Sequence, residues 1–341
     1  MCYNIQNIYE EKKETPFFVV TMVIVEKSGE DDFVMRKANF NKRRVFLAIL
    51  QLGIVGVICL GFLKYSEEVT TMKDEFRRKI HFMKTETNVD FTDYPTIAHT
   101  EGAWYEGAPL IYHAGGGLSG YNYTNSKEAL EETLAEGRRY VEMDFLYTAD
   151  EQLACAHYWS SLYDDDVTVP TLEEFKEHKI FGKFTTLTAE DLIGYMAEYE
   201  DLYIIIDTKE ENYVAVIEDL VKLSAFDTSI TDRFVIQLYE EQVKGKLQQI
   251  YPFEDDNFLF TTYKYGTEFE NKIMNICYEE NIAVIVIPYD MWEKETIDKF
   301  REKDFIIYEH TVNRPNQAKV SLEKGISSFY TDYLTESDLG W

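Results

Sequence analysis

The chain has 341 residues, 45% of them hydrophobic, which is enough for one large domain with additions and a sizeable core. A formal net charge of −28 argues against nucleic acid and anionic membrane surfaces as partners. Four cysteines, Cys2, Cys59, Cys155 and Cys277, fall in no paired spacing, which argues against a disulfide framework and a thiolate metal site.

Residues 1–34 follow no clear pattern. The apolar stretch at 17–25 is too short to span a bilayer. Met35-Arg36-Lys37 then opens a basic stretch. Residues 1–34 read either as an extension upstream of a start at Met35 or as a short cytoplasmic tail. Residues 45–63 (VFLAILQLGIVGVICLGFL) are uncharged and about as long as the hydrocarbon core requires of a helix. Arg36, Lys37, Lys42, Arg43 and Arg44 precede them, and Glu67 and Glu68 follow. This predicts one transmembrane helix, with residues 1–44 cytoplasmic and everything after it outside the cytoplasm. A cleaved signal peptide and a buried core helix are the alternatives. The first lacks a small-x-small site after the run, and the second would show a polar face. Residues 64–100 are polar and read as a stalk.

From about residue 101 strands and helices alternate. Apolar strand-like runs fall at 110–113, 140–145, 202–207, 234–239, 258–263, 282–288, 305–311 and 328–331. Helical stretches lie at 126–137, 212–223, 240–250, 268–280, 292–303 and 317–324. Eight strands with helices between most of them predict an α/β fold, a (β/α)8 TIM barrel over residues 101–341. The connection after the second strand is too long for a plain loop, and residues 158–200 read as a small insertion over the barrel mouth. Two Thr-led helix starts with acidic first turns, at Thr171 and Thr188, lie in it.

The chemistry-bearing residues fall at predicted strand ends, where catalytic groups of such barrels sit. Glu142 and Asp144 are two apart on one strand and share its inner face. Asp207 lies at the end of the next. Three carboxylates together raise one another's pKa unless a cation sits between them, and an all-oxygen set suits one Mg²⁺ or Ca²⁺ ion. His113 and His157 form an acid/base pair with pKa values near neutrality, their individual roles open. Lys209, on the face of Asp207, is placed either to bind a phosphate oxygen or to pair with neighbouring carboxylates. Gly115, Gly116 and Gly117 offer successive amides as an anion nest. Gly115-x-Gly117-x-x-Gly120 also matches a dinucleotide fingerprint, but Tyr121 to Asn125 separate it from the helix that would have to cover the pyrophosphate. Tyr239, Tyr263, Tyr289 and Trp292 lie near strand ends, where they serve either a head-group pocket or the core.

These motifs together resemble the glycerophosphodiester phosphodiesterase family, within the phosphatidylinositol-phospholipase-C-like superfamily. His113-Ala114-Gly115 stands for its His-Arg-Gly, and Thr124-Asn125-Ser126 for its Glu-Asn-Thr. Glu142-Met143-Asp144 stands for Glu-x-Asp, His157-Tyr158 for His-Asp, and Asp207-Thr208-Lys209 for Glu-x-Lys. Thr311-Val312-Asn313 and Thr331-Asp332 complete the order. The resemblance runs from about residue 108 to the C-terminus. It implies a metal-dependent hydrolase of a membrane-anchored bacterial type, acting on a glycerophosphodiester or a related cell-surface phosphodiester. Ala114 departs from the phosphate-binding arginine, Asp207 is one methylene shorter than glutamate, and Tyr158 replaces an aspartate. The alternatives are an inactive barrel that binds a phosphorylated glycan or lipid head group, and a phospholipase-type phosphodiesterase.

Overall fold

The computed structural model describes residues 23–27 and 33–37, and residues 94–341 apart from 119, 163–168 and 240–242. The chain divides into two units, residues 1–77 and 78–341. In the first, β1 (Val23–Lys27) pairs antiparallel with β2 (Phe33–Lys37), Val25 facing Met35. The predicted transmembrane helix at 45–63 and the stalk up to residue 93 lie outside the described residues. Among the described residues no helix is long and apolar enough to cross a membrane.

The second unit contains β3 (Ile111–Tyr112), β4 (Tyr140–Tyr147), β5 (Leu153–Cys155), β6 (Lys179–Ile180), β7 (Phe184–Thr185), β8 (Tyr203–Thr208), β9 (Phe234–Leu238), β10 (Phe258–Thr261), β11 (Val284–Pro288), β12 (Ile306–His310) and β13 (Ser328–Thr331). Strands β3, β4 and β8 to β13 run parallel in that order, and β13 pairs back onto β3. This closes the eight-stranded barrel that the alternation predicts. Its strands are covered on both sides, so they read as unbroken apolar runs such as Val284-Ile285-Val286-Ile287, all fully buried. Strand β5 is added antiparallel to the end of β4, with Phe145 opposite Cys155. The eight-period pattern gave no hint of it.

The helices start where the sequence supplies caps. Ser126 accepts the Ala129 amide at the head of Lys127–Ala135, and Thr171 and Thr188 form capping boxes with Glu174 and Asp191. Pro315 opens the helix Pro315–Lys324, and Gly325, in the left-handed region, closes it.

The insertion is smaller than the sequence suggested. Its core is a separate cluster of Leu146, Ala154, Ala156 and Phe175. The helix Ala189–Glu198 instead buries Ala189, Leu192 and Met196 in the main core and takes its place in the barrel's outer layer. The β6–β7 hairpin leans on the loop after β3. Tyr121 meets Phe181 and Phe184 at 5.1 and 5.3 Å between ring centroids, and Glu128 accepts the Thr185 amide and hydroxyl, both at 2.7 Å.

The opposite end is sealed by Trp104. Its indole donates to the Asp256 carbonyl at 2.7 Å, and its ring lies against Tyr140 and Tyr308. Residues 94–100, polar enough to read as stalk, also lie on the barrel. Tyr94 stacks on Tyr278, and the Ile97 amide donates to the Lys303 carbonyl at 2.9 Å.

Candidate active site

Strand alternation and register build the centre of the site. Glu142 and Asp144 point the same way from β4, and the parallel pairing sets Asp144 directly beside Asp207 on β8. One oxygen from each of Glu142, Asp144 and Asp207 lies within 4.8 Å of the others, and all three residues are buried. Burial first, and then the Asp144 charge, push the Glu142 carboxyl well above its ordinary range. Burial and Asp207 raise Asp144 to about 6.

Several donors hold these carboxylates. Glu142 Oε2 accepts the Ala114 amide at 2.7 Å. Asp144 Oδ2 accepts from Asn125 Nδ2 at 2.9 Å, while Asn125 Oδ1 accepts the Asp144 amide at 3.0 Å. Asp207 Oδ1 accepts from the Tyr239 hydroxyl at 2.8 Å, and Oδ2 from Lys209 Nζ at 2.6 Å. Lys209 thus makes the ion pair that the sequence left open against a phosphate contact. Asp207 and Asp144 hold the ammonium charged against the cost of burial. Asp144 Oδ1, by contrast, is buried and accepts no hydrogen bond. A buried carboxylate oxygen without a donor, beside two more carboxylates, fits a hard divalent cation.

The two histidines flank this cluster in opposite electrical surroundings. His113 follows β3 directly and is buried, with Nδ1 2.9 Å from Asp332 Oδ1. Burial disfavours its charged form. The hydrogen bond to Asp332 and the charges of Asp332, Glu142 and Asp144 overcome that and raise it to about 9. His157 has Nε2 3.9 Å from Asp144 Oδ1. Burial, then the Lys209 charge, lower it to about 3, so its ring is neutral.

The glycines do a different task from the one expected. The Gly116 amide donates to the His113 carbonyl at 2.9 Å and the Gly117 amide to the Asp332 carbonyl at 2.7 Å. These two amides are therefore engaged within the protein. Gly115 and Gly116 have φ of +89° and +101° and lie on the helix Lys127–Ala135, where a Cβ on Gly116 would come within 2.2 Å of Thr133 Oγ1. They permit close approach of loop and helix. The dinucleotide reading fails with them, since the helix begins only at Lys127.

Five further residues belong to the site. Asp332 orients His113 and is itself held by Asn313 Nδ2 at 2.6 Å and Asn122 Nδ2 at 3.2 Å. Asn125 brackets Asp144. Asp332, Asn313 and Asn125 all stood in motifs of the resemblance, which was the available signal. Tyr123, whose ring lies between the two histidines, had none. Of the strand-end aromatics, Tyr239 and Tyr263 lie parallel at 6.3 Å near the site, whereas Trp292 is buried on Phe300 in the core.

No protein-family model matches the sequence, and no curated protein does. Solved structures do share its architecture. A phosphodiesterase from Oleispira antarctica, solved in complex with the product sn-glycerol-3-phosphate, superposes with a TM-score of 0.57 at 16% identity, covering 68% of this chain and 97% of that one. A glycerophosphodiester phosphodiesterase from Parabacteroides distasonis gives 0.53 at 16% identity, covering 68% and 95%. At such identity the likeness establishes the fold: a TIM barrel of the kind these phosphodiesterases have.

Proposed function

We propose that the protein is a divalent-cation-dependent phosphodiesterase that hydrolyses a glycerophosphodiester or a related cell-surface phosphodiester. The observation that carries this reading is the buried triad of Glu142, Asp144 and Asp207, flanked by a carboxylate-paired histidine and a neutral one. The fold shared with phosphodiesterases supports it.

Glu142, Asp144 and Asp207 would hold the cation, Mg²⁺ or Ca²⁺. When bound, the ion would draw charge from a phosphoryl oxygen and make phosphorus easier to attack. The proton work falls to the histidines. Neutral His157 accepts a proton from the attacking oxygen, whether of water or of the substrate's own glycerol hydroxyl. Charged His113, kept so by Asp332, donates one to the departing alcohol. A cation would offset Glu142 and Asp144 and lower His113, but the Asp332 contact would stay. Lys209 stands beside the triad to meet a phosphate oxygen by exchanging its bond to Asp207.

The test is a panel of phosphodiesters offered to the purified protein. Turnover should vanish with a chelator and return with Mg²⁺ or Ca²⁺, and Glu142→Gln should behave as the chelated enzyme does. Full turnover in excess chelator removes the cation from the account. One observation favours a second reading. Ala114, at the position of the family's arginine, is fully buried and offers no side chain to a phosphate. A barrel that binds a phosphorylated glycan or lipid head group without cleaving it would bind the panel and turn over none of it.

We also propose that residues 45–63 anchor the chain in the cell membrane as a single pass, with the barrel outside the cytoplasm. Their apolar length and the preceding Lys42, Arg43 and Arg44 support this. Protease added to intact cells should release the barrel. Release only after lysis reverses the orientation.

A further inference from the structure

The ring of Tyr123 touches both histidines. Its centroid lies 4.3 Å from that of His113 and 4.6 Å from that of His157, at interplanar angles of 77° and 86°. Edge-to-face contact of this kind is the arrangement that aromatic quadrupoles favour. Tyr158 meets His157 as well, at 4.1 Å and 81°. Tyr123 has a φ of +60°, a conformation that a bulky residue keeps only where its surroundings impose it. Here both flanks are tied down. Asn122 donates to Asp332, the partner of His113, and Asn125 binds Asp144 through its side-chain amide and carbonyl. The segment 122–125 is thus a strap from the carboxylate behind one histidine to the carboxylate in front of the other, with Tyr123 in its middle.

We propose that Tyr123 is a positioning residue for the acid/base pair, a wedge that sets the separation and ring orientation of His113 and His157. This rests on the phosphodiesterase reading. Two proton-transfer groups must address the attacking and the departing oxygen of one phosphorus, and misplacement by about 1 Å costs on the order of 10²-fold in rate. His113 has a second source of orientation in Asp332. His157 lies between two tyrosine rings, so the wedge matters most to it. The ring carries the role, and the hydroxyl does not.

The test compares Tyr123→Phe and Tyr123→Ala in the purified full-length protein, with Mg²⁺ and the best glycerophosphodiester substrate. Tyr123→Phe should keep kcat within about threefold of wild type. Tyr123→Ala should lose on the order of 10²-fold in kcat, with KM changed little. In the NMR spectrum, the ring-proton signals of both histidines should move in Tyr123→Ala and stay in Tyr123→Phe. If Tyr123→Ala does not fold, Tyr123→Leu replaces it with the same expected loss. An unchanged or raised kcat without the ring overturns the proposal, because the ring would then obstruct the site. An equal loss in Tyr123→Phe overturns it in favour of a hydroxyl that touches substrate. A rise in KM alone overturns it in favour of substrate binding. Wild type that cleaves no phosphodiester overturns the phosphodiesterase reading and takes this one with it, whereas an active wild type with an unaffected Tyr123→Ala sinks only the wedge.

Discussion

His113 and His157 are chemically identical, and the acid and base roles proposed for them are separated by their neighbours alone. Asp332 keeps one charged, while burial and Lys209 keep the other neutral. Asp332→Asn should therefore lower the pKa of His113, since it removes the charge that stabilises the imidazolium. The proposed mechanism needs that proton, so rate should fall as pH rises through the pKa. The basic limb of the pH–rate profile should move to lower pH in Asp332→Asn, and kcat at neutral pH should fall by about 10-fold or more. A basic limb that does not move would show that His113 is not the acid. The residues with charge were legible in the sequence, because two carboxylates at i and i+2 and a histidine at a strand end carry a pattern. Tyr123 was not. The role proposed for it comes from a left-handed turn and from ring contacts with His113 and His157, and neither leaves a local signature.

At the scale of elements, period and punctuation were enough for all eight barrel strands, because a strand buried on both faces must be apolar throughout. The insertion was less legible. Its helix Ala189–Glu198 has the same Thr-led start as Leu172–Glu177, and only the packing of Leu192 and Met196 assigns it to the barrel. The glycine run was legible as a special turn but not as to purpose, since amide partners such as the Asp332 carbonyl lie more than two hundred residues away. Gly116→Ala tests that purpose. The new methyl would meet Thr133 Oγ1 at a φ of +101°, so the variant should lose about 1–3 kcal/mol of stability, read as a lower thermal midpoint. Adding Thr133→Ala should recover part of it, as the clash is relieved and the backbone strain is not. No loss in the single variant would mean that the loop stands off the helix.

For the molecule as a whole, acidity concentrates at the site as well as on the surface, and the linkage can be worked out. Asp144 ionises at about 6 when folded against an ordinary 3.8, so ionising it erodes stability as pH rises across that window. His157 acts oppositely. Its folded value of about 3 lies below the ordinary 6.5, so stability increases as pH rises between them. Above 6.5 only His113 of these three remains to titrate. Its folded value is about 9, so the stability it contributes is complete below 6.5 and is lost as pH climbs through 9. A divalent cation bound as proposed would compete with protons for the triad. The rise in melting temperature on adding Mg²⁺ to chelator-treated protein should therefore grow between pH 5 and 8. An equal rise at both ends would separate the ion from these carboxylates.

The loop at Ala114 has a consequence for redesign. Its amide is spent on Glu142, its carbonyl accepts the Asn125 amide, and its methyl group is sealed from solvent. A long guanidinium grafted there would have to force its way through close-packed neighbours. An engineer who wants a firmer grip on phosphate should leave position 114 alone and work from Lys209, whose side chain is 26% exposed and already faces the triad.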